Sequence, residues 1–441
     1  MLSEAKHLHR FFPLAFCLFT CAFCQAQSDV LKYAHQIVDT LASPSMHGRG
    51  YVNKGDSIAS DYIKREFEKI GVHSLRKDFF QFFQFPVITF PQNTFLSFQR
   101  GKSNFQNTTL KPGIDYLVES GSSTEISGEY WASVCTQEVL MSKNKIKKFR
   151  RNKFSSKVII IDERGLKDKI KIRENEKWII NNSTAKSIVI FSQDKLTWTV
   201  FQKSKGIPVY RVNCADSIII QNNDGVYCSS YSKLIPNYQS QNIIGCIKGT
   251  QYPDSFIIFS AHYDHLGQMG KDVYFPGAND NASGCAMLLN LAKYYSQHPP
   301  KYSIAFMAFG GEEVGLLGSK YYVEHPLFPL KQIKFLVNMD IMGTGDEGIK
   351  VVNATEHKKE FDELVRINTE KNLLPSVQPR GKASNSDHYF FEEAGVKTFF
   401  IYTLGGVKAY HDIYDRPETL PLTKFEEAYK LLIGFSDYLQ K

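Results

Sequence analysis

From residue 240 onward, short apolar runs alternate with helix-forming stretches, and this alternation restricts the fold more than any other feature of the sequence. The runs at 255–261, 303–309, 334–339 and 397–402 are continuous and bounded by turn residues, as expected of strands buried on both faces. Each leads toward a helix or an acidic loop, and Cys285 to Tyr295 reads as a helix. Alternation of this kind builds an α/β sheet flanked by helices. Ligands of such sheets bind at the carboxyl ends of the strands.

The remainder of the chain divides by texture. Val30, Leu31, Tyr33, Ile37, Val38 and Leu41 recur at helical spacing until Ser43-Pro44 interrupts them. A second helix is expected from near Asp56 through Ile58, Tyr62, Ile63, Phe67 and Ile70 to Gly71, with His47-Gly48-Arg49-Gly50 as a turn between the two. From 79 to about 235 the signal is β-rich, with runs at Phe85–Phe90, Val158–Ile161, Ser187–Phe191 and Ile207–Val212 separated by loops of Lys, Asn and Ser. The expected division is a signal peptide at 1–26, one main domain split between 27–110 and 236–441, and a smaller β-rich inserted domain at 111–235.

Composition excludes some classes. The 441 residues are 43% hydrophobic and 22% charged, with a formal charge of +8, as in a soluble globular protein. Lys143-Asn144-Lys145-Ile146-Lys147-Lys148 lacks the aromatic interleaving of a nucleic-acid surface and reads as a solvated face. Lys6 and Arg10 precede an apolar run from Phe11 to Phe23 and small residues before Gln27, the pattern of a cleaved secretory signal. That run is shorter than the ~20 residues of a membrane span, so stable membrane insertion after cleavage is not expected and the location is secreted or periplasmic. Thr20 and Phe23 disfavour lipoprotein anchoring at Cys21 or Cys24. Outside the signal, Cys135, Cys214, Cys228, Cys246 and Cys285 contain no CxxC pair, which argues against a cysteine zinc site. Cys214 with Cys228 is the expected disulfide.

Five segments carry chemistry, most of them just past expected strands: His262-Tyr263-Asp264-His265, Gly277 to Gly284 around Asp280, Gly310-Gly311-Glu312-Glu313, Asn338 to Gly343 around Asp340, and Tyr410-His411-Asp412. Any one of them alone has an ordinary structural reading, as a helix start, a turn or a cap. Together they supply imidazole and carboxylate, the ligands zinc takes in catalytic sites. Two histidines and three carboxylates hold two ions if one carboxylate bridges, and two metals about 3.5–4 Å apart clamp a tetrahedral transition state. In the adjacent pair Glu312-Glu313, one carboxylate can face metal while the other stays free for proton transfer.

These segments resemble the zinc aminopeptidases of family M28, typified by aminopeptidase Y. The resemblance rests on His262-Tyr263-Asp264-His265-Leu266-Gly267, Asp280-Asn281-Ala282-Ser283-Gly284 and Glu312 to Ser319, followed by Ser386-Asp387-His388 and Tyr410-His411. Asn242-Ile243-Ile244-Gly245 and the Gly48-Arg49 turn also fit. The resemblance implies a three-layer α/β/α zinc-exopeptidase fold with a mixed central sheet, two Zn2+ per chain, and peptide substrates cut at the amino end. It implies that His262 and Asp340 hold one zinc, Glu313 and His411 the other, and that Asp280 bridges. Glu312 is then the general base, Asp264 orients His262 through its second ring nitrogen, and Tyr410 stabilises the oxyanion. Asp387 and His388 shape the site, and Phe390, Phe391 and Tyr402 hint at an apolar pocket. The runs Lys157–Asp162, Ser187–Ser192 and Gly206–Val209 resemble a protease-associated insert. The competing readings are a one-zinc glutaminyl cyclase, a carboxypeptidase of related fold, and a non-catalytic receptor on the same fold.

Overall fold

The computed structural model describes residues 28–100, 106–122, 125–204, 206–213 and 218–441. The expected signal peptide and Cys214 lie outside these residues. Cys135, Cys228, Cys246 and Cys285 are buried free thiols.

The apolar runs become the centre of a nine-stranded mixed sheet. Its order is His73–Ser74, Lys233–Ile247, Tyr302–Phe309, Tyr252–His262, Ile333–Met339, Thr398–Leu404, Gly348–Val352 and Val377–Pro379, with Phe80–Thr89 also paired to Lys233–Ile247. The four strands from Tyr302–Phe309 to Thr398–Leu404 are parallel, and their neighbours on each side are antiparallel. Alternate side chains of these strands enter two separate cores. Phe259, Phe306, Val337 and Phe399 pack under one layer of helices, while Ile258, Met307, Leu336 and Phe309 pack with Tyr322 and Phe391 on the other face. The architecture is therefore the expected three-layer α/β/α, and Phe391 belongs to its core rather than to a pocket.

Local sequence sets the first layer. Ser28 caps helix Asp29–Leu41 by accepting from the Leu31 amide, and Ala34, Ile37, Val38 and Leu41 bury one face. Helix Gly55–Ile70 ends at Gly71, whose φ of 86° few other residues tolerate. Both pack on helix Gly284–Gln297, buried at every residue from Gly284 to Ala292. A Leu→Ala change in that helix should cost about 2–5 kcal/mol.

A second, eight-stranded sheet lies between Phe95 and Ser230, in the order Gln106–Thr109, Phe95–Arg100, Gly225–Ser230, Ile126–Cys135, Lys157–Asp162, Ser187–Ser192, Val209–Asn213 and Tyr116–Val118. Its first two strands in sequence precede residue 111, and strand Lys233–Ile247 runs across residue 235. The sheet also carries helices Gln137–Met141, Lys143–Phe149 and Lys169–Asn182, which cover one face of its central strands. In Lys143–Phe149 the lysines are exposed while Ile146 and Phe149 point inward. The other face packs against Tyr51, Leu266, Met269, Phe275 and Val314, which places this second sheet beside the loops at 262–280 and 310–315.

Candidate metal site

Register gathers the chemistry. His262 ends its strand opposite Phe309, and Met339 pairs with Ile401. The chain therefore leaves the sheet at His262, before Gly310-Gly311-Glu312-Glu313, and before Asp340, all at one edge. The turn at 310–313 requires glycine: a Cβ on Gly310 would lie 2.8 Å from both the Gln241 carbonyl and the Tyr263 hydroxyl, and Gly311 has φ of 70°.

The five expected ligands meet there. His262 Nε2 lies 3.3 Å from Asp280 Oδ1 and 3.4 Å from Asp340 Oδ1. His411 Nε2 lies 3.2 Å from Asp280 Oδ2 and 3.3 Å from Glu313 Oε2. The two oxygens of Asp280 thus face two different histidines, each with its own second carboxylate. Glu312 joins His262 and Asp340 in a group compatible with a metal ion, but its carboxylate makes no hydrogen bond or ion pair among the described residues. Tyr410 stacks on His411 with ring centres 3.9 Å apart, and it lines the cavity of about 340 Å³ into which the ligands point.

The loops are fixed from behind. Asp264 accepts the backbone amides of Glu312 (3.1 Å) and Glu313 (3.3 Å) and the Tyr51 hydroxyl (2.9 Å). The second nitrogen of His262 meets the Asp264 backbone carbonyl at 3.1 Å, with the carboxylate at 3.9 Å. The expected orienting role therefore falls to the main chain of Asp264, and its side chain holds the acidic turn. An Nδ1–H donated to that carbonyl leaves Nε2 as the free lone pair. His265 Nδ1 meets Glu313 Oε1 at 2.7 Å. Asp415 accepts the amides of Asn279 (2.8 Å) and Asp280 (2.9 Å), and Ser386 donates to Asp340 Oδ2 at 3.3 Å. Arg49, wholly buried, spends all its donors on backbone carbonyls, including those of Gly277 and Asp280. Sequence alone gives no role to His265, Asp415, Tyr51 or Ser386, and shows Arg49 only as part of a turn. Asp387 is buried close to Glu312, and the His388 ring packs on Phe400 at 5.2 Å.

Electrostatics favour a cation. Burial works against the charge of Asp280, yet hydrogen bonds to His262 and His411 outweigh it and hold that carboxyl well below its ordinary range. Burial also opposes the His411 imidazolium, but Glu313 and Asp280 push it up to about 9. Glu312 is raised well above the usual range by burial and by Glu313, Asp387 and Asp340. Four carboxylates thus gather with three imidazoles, those of His262, His265 and His411, and Asp340 Oδ1 is buried with no hydrogen-bond partner. Buried negative charge of this kind is paired or coordinates metal, and the donor set fits zinc. A larger hollow of about 720 Å³ lies over the second sheet beside Phe95, Trp131 and Tyr227, but none of the metal-compatible groups lines it.

The chain is similar to known proteins in sequence and in fold. Residues 242–436 match the model of peptidase family M28. Aminopeptidase YwaD of Bacillus subtilis (strain 168) is 32% identical over 222 residues, 48% of this chain and 47% of that one. The match thus spans about half the length of that relative. Among solved structures, BSAP, a zinc aminopeptidase from Bacillus subtilis, superposes with a TM-score of 0.67 at 22% identity over 92% of this chain and 94% of its own. A peptidase M28 precursor from Shewanella amazonensis SB2B gives 0.65 at 16% identity over 93% and 95%.

Proposed function

We propose, from the premise that residues 242–436 form a peptidase family M28 domain, that this protein is a two-zinc aminopeptidase that hydrolyses the first bond of peptides. The observation that carries the reading is the splitting of Asp280 between His262 and His411. His262 and Asp340 would hold one ion, Glu313 and His411 the other, with Asp280 between them. Two such ions supply Lewis-acid polarisation of a carbonyl and a water of lowered pKa. Glu312 takes the proton of the attacking water and delivers it to the leaving amine. Its freedom from other partners leaves it able to do so, and bound cations would lower its raised pKa again. Burial and the surrounding carboxylates push the Tyr410 hydroxyl pKa up, so it stays protonated as a donor to the oxyanion.

Cleavage at the amino end is supported by the aminopeptidases this chain resembles and by the surplus of carboxylates, which suits a substrate ammonium group. The wall formed by Ile341, Phe400, Tyr402 and Tyr410 suits an apolar first side chain. We assign the sheet between Phe95 and Ser230 as a protease-associated-like insert, and the leader at 1–26 as a signal that sends the enzyme out of the cytoplasm. No described helix is long and apolar enough to cross a membrane.

Zinc stoichiometry together with digestion of a peptide library by the zinc-loaded protein tests the reading. Two ions per chain and stepwise loss of amino-terminal residues are expected. A single tight ion would favour the glutaminyl cyclase, and loss from the carboxyl end would favour a carboxypeptidase. Full zinc loading with no hydrolysis would favour the receptor.

A further inference from the structure

Residues 195–202 follow strand Ser187–Ser192 of the second sheet and run from the loop that carries His411 to Val314, beside residues that line the cavity. We infer that this strap is a clamp on the His411 loop, with Lys195 and Trp198 as positioning residues that tune one metal half-site and not the other. The inference rests on the two-zinc reading of the cavity.

His411 needs such support. It sits in the left-handed region with φ of 54°, which a non-glycine residue holds only where its surroundings impose it. Residues 405–416 form no helix or strand, so contacts from outside set the loop's position. On its inner side Asp415 ties it to Asn279 and Asp280. On its outer side the strap does the work. The Trp198 amide donates to the His411 carbonyl at 2.8 Å. Lys195 Nζ donates to the Lys408 carbonyl at 2.8 Å and the Tyr410 carbonyl at 3.3 Å, and pairs with Asp412 at 2.5 Å. Asp412 is only 4% exposed and makes no other ion pair among the described residues.

The strap is itself anchored. The Trp198 indole donates to the Val118 carbonyl at 2.7 Å and stacks on Phe275 with centres 4.7 Å apart, so one ring joins the insert to the loop that leads to Asp280. Farther along, Gln202 donates to the Val314 carbonyl at 2.7 Å, one residue past Glu313. The strap therefore holds the chain at both ligands of one half-site, Glu313 and His411. It makes no hydrogen bond or ion pair to His262 or Asp340 among the described residues. A support that touches one half-site alone has a signature that general destabilisation lacks.

The test is stepwise zinc titration of the full chain against a competing chelator, in wild type, Lys195→Met and Lys195→Arg, with cobalt spectra reporting each half-site. In Lys195→Met one of the two affinities should fall about 10- to 100-fold, as when an outer support of a metal ligand is lost. The other should stay within about twofold, and Lys195→Arg, which keeps the charge and the donors, should recover most of the loss. Unchanged affinities, or equal weakening of both, would overturn the inference. If the wild type does not bind two ions, the two-zinc reading fails instead. Hydrogen exchange at 407–412 in metal-free protein then decides the clamp: faster exchange in Lys195→Met supports it, and unchanged exchange refutes it.

Discussion

Replacing Arg49 by lysine tests whether the loop that carries Asp280 is held by one guanidinium. Arg49 is fully buried, and each of its five N–H groups meets a different backbone carbonyl: Tyr263 at 2.7 Å, Leu41 at 2.9 Å, Pro276 at 2.7 Å, Gly277 at 2.7 Å and Asp280 at 3.1 Å. A guanidinium has five donors in a fixed fork and an ammonium has three. Arg49→Lys must therefore leave at least two of these carbonyls without a donor. A hydrogen bond from a charged group contributes about 1.5–3 kcal/mol, so the loss is about 3–6 kcal/mol. Burial already pushes the Arg49 pKa down, and the same burial would act more severely on a lysine, whose ordinary value is lower. A domain is stable by about 5–15 kcal/mol, and Tm should fall by about 3–6 °C, at about 1 °C per kcal/mol for a chain of this length with an unfolding entropy of roughly 2 cal/mol/K per residue. Because Pro276, Gly277 and Asp280 are among the carbonyls concerned, zinc affinity should fall as well. Differential scanning calorimetry of the metal-free protein measures the first effect, and zinc titration the second. A Tm within about 2 °C of wild type would refute the assignment of Arg49 as the tie between these loops.

Glu312→Gln should keep both zinc ions and lower kcat by about 10²- to 10⁴-fold; metal analysis with steady-state kinetics checks this, and full activity would remove Glu312 as the base. Asp56 is buried under hydrogen bonds from Tyr238 (2.5 Å) and Ser240 (2.8 Å), and burial raises its pKa from 3.8 to about 7. The folded state therefore holds a proton that the unfolded state has lost between about pH 4 and pH 7, and stability falls as pH rises through that window. Urea unfolding of Asp56→Asn in chelator should show the variant gaining about 2–4 kcal/mol on wild type between pH 4.5 and pH 8; a constant offset would disprove the titration.

The part of the site legible in sequence is the part built at the ends of buried strands. His262, Glu312-Glu313 and Asp340 each follow an apolar run directly, and register in a parallel sheet brings such residues to one edge. Asp280 lies in the distorted helical turn Ala278–Ser283 and His411 in a loop, and their motif rather than any periodicity marks them. Residues that act through the backbone stayed hidden. Arg49 reads as a turn residue until Leu41, Tyr263, Pro276, Gly277 and Asp280 are seen to converge on it, and Asp415 reads as one more loop acid. Asp264 was expected to serve His262 with its carboxylate, but the adjacent main chain reached first, at 3.1 Å against 3.9 Å. The strands Phe95–Arg100 and Gly225–Ser230 form no continuous apolar run, because only alternate residues of each are buried: Leu96 and Phe98 in one, Val226, Cys228 and Ser230 in the other.

These hidden residues divide the labour of the cavity in a way the ligand set alone does not suggest. The His262 side rests on the nine-stranded sheet and its loops, through the Asp264 carbonyl and Ser386 beside Asp340. The His411 side is held by contacts from the insert as well, through Lys195, Trp198 and Gln202. Asp280 stands between, its amide fixed by Asp415 and its carbonyl by Arg49. A displacement of the insert would thus be felt first at His411 and Glu313, while His262 and Asp340 kept their places. On the two-zinc reading proposed above, the second sheet, which contributes no ligand among the described residues, is part of what holds the His411 half of the cavity in place.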